Sequence, residues 1–221
     1  MRIVEPFYEI WKYDKETMKF LEQVGRICYK SEDRIKSGTA DPFIQGLVKN
    51  GHEAMIEHSM ISVKFIHNRG FSHELVRHRL ASYAQESTRY CNYSKDKSDN
   101  QITVIKPYWW NDTDIKNIKG VREYWKKSTE FDEEAYLYMV KNGLKPQGAR
   151  GKLPIDLKTE IVMSANPREW RSVFMLRADR PAHPDMRRLM IPLLVTMATM
   201  FPILFGDIKE YIIERMKKPS S

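Results

Sequence analysis

Apolar and polar positions alternate along the chain in blocks that predict helices and strands separated by short polar breaks. After an apolar opening, Asp14 precedes a stretch where Met18, Leu21, Val24 and Cys28 recur at the spacing of one helix face. Residues 31–40 are polar, contain Gly38 and predict a loop. Asp41-Pro42 then supplies a cap and a first-turn proline for a helix ending near Asn50-Gly51. Ile61, Val63 and Phe65 alternate with Ser62 and Lys64, the pattern of a half-buried strand. Asn68-Arg69-Gly70 leads out of it toward a helix with Ser72 as cap and Glu74 in its first turn.

Residues 102–105 predict another strand, and residues 108–120 are polar and irregular apart from Trp109 and Trp110. A helix follows over residues 121–140, stopped by Asn142-Gly143, with Trp125, Phe131 and Tyr138 as its packing residues. Residues 157–163 are again extended. Asn166-Pro167-Arg168-Glu169 places a cap, a proline at the first helical position and a capping-box glutamate in order. That helix carries Trp170, Phe174 and Arg177. Pro184 opens a last helical region that runs into the uncharged stretch 189–206. Pro192 and Pro202 interrupt this stretch, so it reads as a helix buried in a core or subunit contact, not as a membrane span.

No repeat, linker or composition break divides the sequence. The expectation is a single α+β domain over residues 1–221, with a small central sheet flanked by helices. Five Trp, nine Phe and eleven Tyr exclude global disorder. Cys28 and Cys91, the two cysteines, read as reduced thiols of a cytoplasmic chain, and no apolar secretory h-region follows the first residues. Thirty-seven Lys and Arg against 29 Asp and Glu leave a net charge of +8, which favours an anionic partner without identifying it. Two alternatives stand beside an enzyme: a basic nucleic-acid-binding protein and a non-catalytic structural homologue. The zinc-finger, K-homology and ribonucleoprotein motifs of the first are missing.

The densest polar cluster is Arg77-His78-Arg79, followed by Ser82, Gln85, Ser87, Arg89 and Tyr90. Arginine forks match phosphate, and hydroxyl and amide groups can complete recognition of a sugar or base. No G-x-G-x-x-G or P-loop occurs. His52 and His58 are six residues apart and lack the H-E-x-x-H spacing, so no metal is expected. Ser87 has neither a triad order nor a G-x-S-x-G elbow around it, which favours substrate positioning over covalent catalysis.

Residues 77–89 match every specified position of R-H-R-x-x-S-x-x-x-x-S-x-R, the signature of flavin-dependent thymidylate synthases, and the chain resembles that family. Further matches follow the family's order: Gly51-His52 through Glu57-His58, Arg150 before Leu153-Pro154, Asn166-x-Arg168, and Leu176-Arg177-Ala178-Asp179. The resemblance implies a thymidylate synthase-complementing fold, assembled as a homotetramer with FAD between subunits. It also implies reductive methylation of dUMP to dTMP, with 5,10-methylenetetrahydrofolate as one-carbon donor and NADPH as reductant. It places His52, Glu57, Arg77, His78, Arg79, Asn166 and Arg168 at the flavin. It places Glu74, Gln85, Ser87, Arg89, Arg150 and Arg177 at dUMP, with Ser87, Arg89 and Arg177 nearest the chemistry. The family often has Asn-Glu where this chain has Ala84-Gln85, and Gln where it has Glu74.

Overall fold

A computed structural model describes residues 1–95, 98–112 and 118–217. Part of the polar stretch 108–120 therefore lies outside the described residues. The chain runs β1 (Arg2–Val4), β2 (Phe7–Lys12), α1 (Thr17–Tyr29), α2 (Ala40–Lys49), β3 (Ile61–Asn68), α3 (Arg69–Leu75), β4 (Ala81–Gln85) and β5 (Thr103–Ile105). It continues through α4 (Val121–Lys141), α5 (Pro146–Ala149), β6 (Lys158–Ala165), α6 (Pro167–Arg177), α7 (Pro184–Met200) and α8 (Pro202–Lys217). An antiparallel sheet has the order β2-β3-β6-β4, and β1 pairs in parallel with β5. This is the expected α+β class.

Two compact units divide the chain. One holds residues 1–7, 65–77 and 84–162; the other holds 8–64, 78–83 and 163–221. In the first, Tyr93, Ile102, Val104, Tyr136, Ala149 and Leu157 form a buried cluster. Glu133 of α4 accepts from the N-terminal ammonium at 2.8 Å and from the Ile102 backbone N–H at 2.8 Å, so a polar helix face ties down both β1 and β5. Phe131 and Tyr138 are exposed, contrary to expectation, because the inward face of α4 carries Thr129 and Tyr136 instead.

In the second unit, Trp170 stacks on Phe174 at a centroid separation of 5.7 Å, and Phe174 meets Phe205 edge to face at 5.9 Å. Each is almost fully buried, and burying a large apolar side chain contributes roughly 1.5–3 kcal/mol. Arg171 is buried beside them. Its guanidinium makes two 2.7 Å bonds to Asp207 and one of 2.6 Å to the Leu204 carbonyl. The inward face of α1 is Thr17, Leu21, Glu22 and Gly25, whereas Cys28 is exposed. Glu22 tolerates burial because Arg26 and Thr39 both donate to it. At Gly25 a Cβ would lie 2.6 Å from the Phe43 ring, so a larger residue there would displace that ring. The apolar stretch 189–206 is not one helix: Phe201 leaves helical geometry and Pro202 starts α8. Among the described residues no helix is long and apolar enough to cross a membrane.

Several caps differ from expectation. Helix α2 begins at Ala40, ahead of Asp41. Helix α3 is capped by Asn68, not Ser72: the Asn68 Oδ1 accepts from the Phe71 N–H at 2.9 Å, and Ser72 lies inside the helix, donating to the Arg69 carbonyl. The same Asn68 side chain donates from Nδ2 to Asp156 at 3.1 Å, and Asp156 accepts from Trp125 Nε1 at 2.8 Å. Asn166 caps α6 as expected, accepting from Glu169 N–H at 2.8 Å.

The Asn68–Asp156 pair gives a charge-swap prediction. Asn68→Asp sets two carboxylates against each other in a site where Asn68 is 4% exposed, and should destabilise by about 1–3 kcal/mol in urea unfolding. Adding Asp156→Asn restores a donor toward residue 68 and an acceptor toward Trp125. The double variant should regain most of the loss; equal instability of single and double variants would contradict the pairing.

Candidate active site

The signature is built on a strand–helix–strand run. Helix α3 stops at Leu75, so Arg77, His78 and Arg79 form the connection into β4 and do not lie on a helix, and residues after β4 turn sharply through Ser87. The connection exposes Arg77 and Arg79 and buries His78. Neither exposed guanidinium pairs with a carboxylate among the described residues. Each of these exposed guanidiniums, without a carboxylate partner, suits an anionic ligand.

His78 belongs to the second unit with Arg177, Glu169 and Tyr83. The Arg177 Nε donates to His78 Nε2 at 3.0 Å, which places the imidazole proton of the neutral ring on Nδ1. Burial, reinforced by the Arg177 charge, lowers the His78 pKa to about 4. His78 is therefore neutral at pH 7, and the Glu169 carboxylate 3.7 Å from Nδ1 is not an ion-pair partner there. Burial also raises the Glu169 pKa. Tyr83 donates to the His78 carbonyl at 2.7 Å, and its own pKa is pushed up to about 12, chiefly by burial. The structure thus joins one expected flavin residue, His78, to one expected dUMP residue, Arg177. Glu169 and Tyr83 were missed as site neighbours; the capping-box reading had already given Glu169 a structural task.

The other expected flavin residues of this unit are His52, Glu57, Arg79, Asn166 and Arg168. Exposed His52 meets the Tyr29 hydroxyl at 3.2 Å through Nδ1. Arg168 bonds Glu57 and lies 3.7 Å from Glu53. Asn166 spends its side-chain oxygen on the α6 cap, leaving its amide hydrogens without a protein partner among the described residues. Arg79 without a carboxylate partner, the neutral His78 imidazole and a half-used amide fit a ligand with phosphates and a heteroaromatic ring.

Five expected dUMP residues lie in the first unit. Glu74 is half-buried on α3. Gln85 does not point a free amide outward: Nε2 donates to Ser72 Oγ at 2.8 Å and Thr159 Oγ1 at 3.2 Å. Ser87 Oγ accepts from the Arg89 backbone N–H at 3.3 Å, with no histidine or carboxylate among its partners in the described residues. The Arg89 guanidinium lies 5.5 Å over the exposed Tyr90 ring, and Arg150 is exposed after α5. Glu86 accepts from Tyr93 at 2.9 Å and sits 3.4 Å from Lys158, so its partners differ from those of Gln85. Among the described residues no group of three or more His, Cys, Asp or Glu is placed to hold a metal ion.

The fold and this cluster define an α+β protein with a cationic polar cluster around buried His78. The family model described as thymidylate synthase complementing protein matches residues 9–203, and the chain belongs to that family. The flavin-dependent thymidylate synthase of Mycobacterium bovis (strain BCG / Pasteur 1173P2) is 30% identical over 200 residues, covering 85% of this chain and 78% of that protein. The enzyme of the same name from Mycobacterium sp. (strain JLS) is 28% identical over 218 residues, covering 91% and 84%. The structure of the UMP/dUMP methylase PolB from Streptomyces cacaoi, bound with 5-Br dUMP, superposes with a TM-score of 0.77. It covers 93% of this chain and 96% of PolB at 17% identity, a likeness of fold.

The depressed His78 pKa sets a pH window. An unfolded imidazole with the ordinary value of 6.5 takes up a proton that the folded one refuses until about pH 4. Stability should be complete above pH 6.5 and fall by up to about 3 kcal/mol as pH drops through 4. Nitrogen NMR of the ring should show a midpoint near 4 that rises in Arg177→Gln. A midpoint near 6.5 in the native protein would contradict the buried, neutral assignment.

Proposed function

We propose that the chain is a flavin-dependent thymidylate synthase that converts dUMP to dTMP. The observation that carries this reading is the complete signature from Arg77 to Arg89, presented on an ordered turn in a chain of this family. Bound FAD would pass reducing equivalents from NADPH, while methylenetetrahydrofolate supplies the carbon joined to C5 of dUMP. Arg77 and Arg79 neutralise cofactor phosphates. Neutral His78 and Asn166 offer polar contacts to its ring, with His52, Glu57 and Arg168 beside them. His78 gives no charge to this task, because its proton is held off by burial.

For dUMP, Arg89, Arg150 and Arg177 supply cationic contacts and Ser87 a short hydroxyl. Among the described residues Ser87 has no histidine or carboxylate partner, which supports positioning over nucleophilic attack. Glu74 contributes a nucleotide contact from α3, and Gln85 shapes the dUMP site through Ser72 and Thr159. We further read the active form as a cytoplasmic homotetramer of single-domain chains with shared sites, consistent with a family match that takes in residues of both units.

Three measurements test the reading. Purified protein should bind FAD saturably, with the visible absorption of an oxidised flavin; folded protein that fails to bind FAD would contradict it. Arg177→Ala should weaken dUMP binding about tenfold or more with less effect on FAD occupancy. Lost FAD with unchanged dUMP affinity would reverse the role of Arg177. Ser87→Ala should retain NADPH-dependent flavin reduction and slow dTMP formation roughly 2–12-fold, the worth of one neutral hydrogen bond. Complete loss of dTMP would instead indicate an obligatory serine nucleophile.

A further inference from the structure

Helix α4 carries an aromatic row on its outer face. Tyr124, Phe131 and Tyr138 follow one another at intervals of seven residues and are 78%, 69% and 68% exposed. Seven residues fall about 20° short of two full turns, so the three rings form one ridge along the helix. The opposite face, with Thr129 and Tyr136, is already buried within its own unit. None of the three rings makes a ring contact or a side-chain hydrogen bond among the described residues. A lone exposed aromatic needs no explanation, but an aligned row of three on a 21-residue helix marks a docking face.

The charges beside the ridge identify what docks there. One flank carries Glu123, Lys127, Glu134 and Lys141, all exposed and none with an ion-pair partner among the described residues. The other flank presents the small Ser128 and Ala135. A second copy of α4 laid antiparallel, with the two-fold axis at Phe131, brings together positions equally far before and after 131. Tyr124 and Tyr138, seven residues to either side, then meet across the axis. Lys127 comes within one residue's rise, about 1.5 Å, of level with Glu134 of the second copy. Glu123 comes within two, about 3 Å, of level with Lys141 of the second copy. Both are opposite-charge pairs, and the symmetry makes each of them twice. Parallel helices would instead set the charged flank against Ser128 and Ala135 and leave those charges unmatched. Six such rings present roughly 900 Å², close to the ~1,000 Å² of a specific interface.

We propose that α4 pairs with α4 of a second copy of this chain, antiparallel about Phe131, burying the aromatic ridge and matching Lys127 with Glu134 and Glu123 with Lys141. The pairing does not rest on the thymidylate synthase reading, and it is additional to any subunit contact that completes the active site.

Sedimentation velocity of the full chain over a range of concentrations tests it. Phe131→Glu changes an exposed side chain and should keep the wild-type urea midpoint; its mass is that of whatever assembly forms without α4. Wild-type protein should reach at least twice that mass. Lys127→Glu and Glu134→Lys, each turning two attractions into repulsions, should each weaken the association about tenfold. An equimolar mixture of these two variants should restore it, because each supplies the charge that the other lacks. The mixing experiment does not use Phe131→Glu, so it decides the matter even if that variant folds poorly. Equal masses for wild type and folded Phe131→Glu overturn the pairing and leave the ridge to a different partner. Association indifferent to both charge changes, or not restored by mixing, also overturns it. A monomeric Phe131→Glu protein beside a dimeric wild type would remove the shared-site tetramer and leave the α4 pairing standing.

Discussion

A buried amide at the junction of β3 and α3 holds the rest of the site in place. Asn68 ends the strand, caps the helix with its oxygen and gives its nitrogen to Asp156, which is fixed in turn by Trp125. A seven-residue helix cannot persist alone, because nucleation is unfavourable and few bonds follow it. Its start is therefore fixed by tertiary contacts. The Arg69 N–H bonds the Ile155 carbonyl at 3.0 Å, and Arg69 and Ser72 bring α3 to Thr159 and Gln85. Glu74 rides on this helix, and Arg77-His78-Arg79 leaves from its end. Loosening Asn68 would let the signature drift before any ligand contact was lost.

The positive charge of the chain is not evenly used. Arg26, Arg168, Arg171 and Arg215 are paired with Glu22, Glu57, Asp207 and Asp179, and these pairs hold structure together. Arg77, Arg79, Arg89 and Arg150 have no carboxylate partner among the described residues. All four belong to the signature or its companion motifs, as do Arg168 and Arg177, which bond Glu57 and His78. Among these eight arginines, four thus hold structure and four carry no carboxylate partner among the described residues.

What the sequence made legible was whatever local chemistry determines. The α6 start was readable because Asn, Pro and Glu each act within one turn, and α4 was readable because its periodicity persists for 21 residues. Strand β3 showed clean alternation, although it extends to Asn68, where four successive buried residues erase the pattern. Strands β1, β2 and β4 escaped notice: none of them contains a fully buried residue, and Ala81–Gln85 has little apolar content. Cys28 was misplaced because a buried Glu22, satisfied by two donors, rotates the inward face of α1. The candidate site residues came from the family resemblance, and their partners could not be read with them. Nothing local shows that Gln85 bonds Ser72 and Thr159, or that His78 is neutralised by burial beside Arg177, since both depend on strands and helices distant in sequence.

The central claim is that this chain attaches a one-carbon unit to dUMP and reduces it to a methyl group. The most direct measurement incubates the protein with dUMP, FAD, NADPH and methylenetetrahydrofolate labelled with carbon-13 at its methylene, then weighs the nucleotide products. The account predicts dTMP carrying one labelled carbon, formed only when all four are present. Folded, FAD-bound protein that leaves dUMP unchanged, or yields unlabelled product, would contradict it.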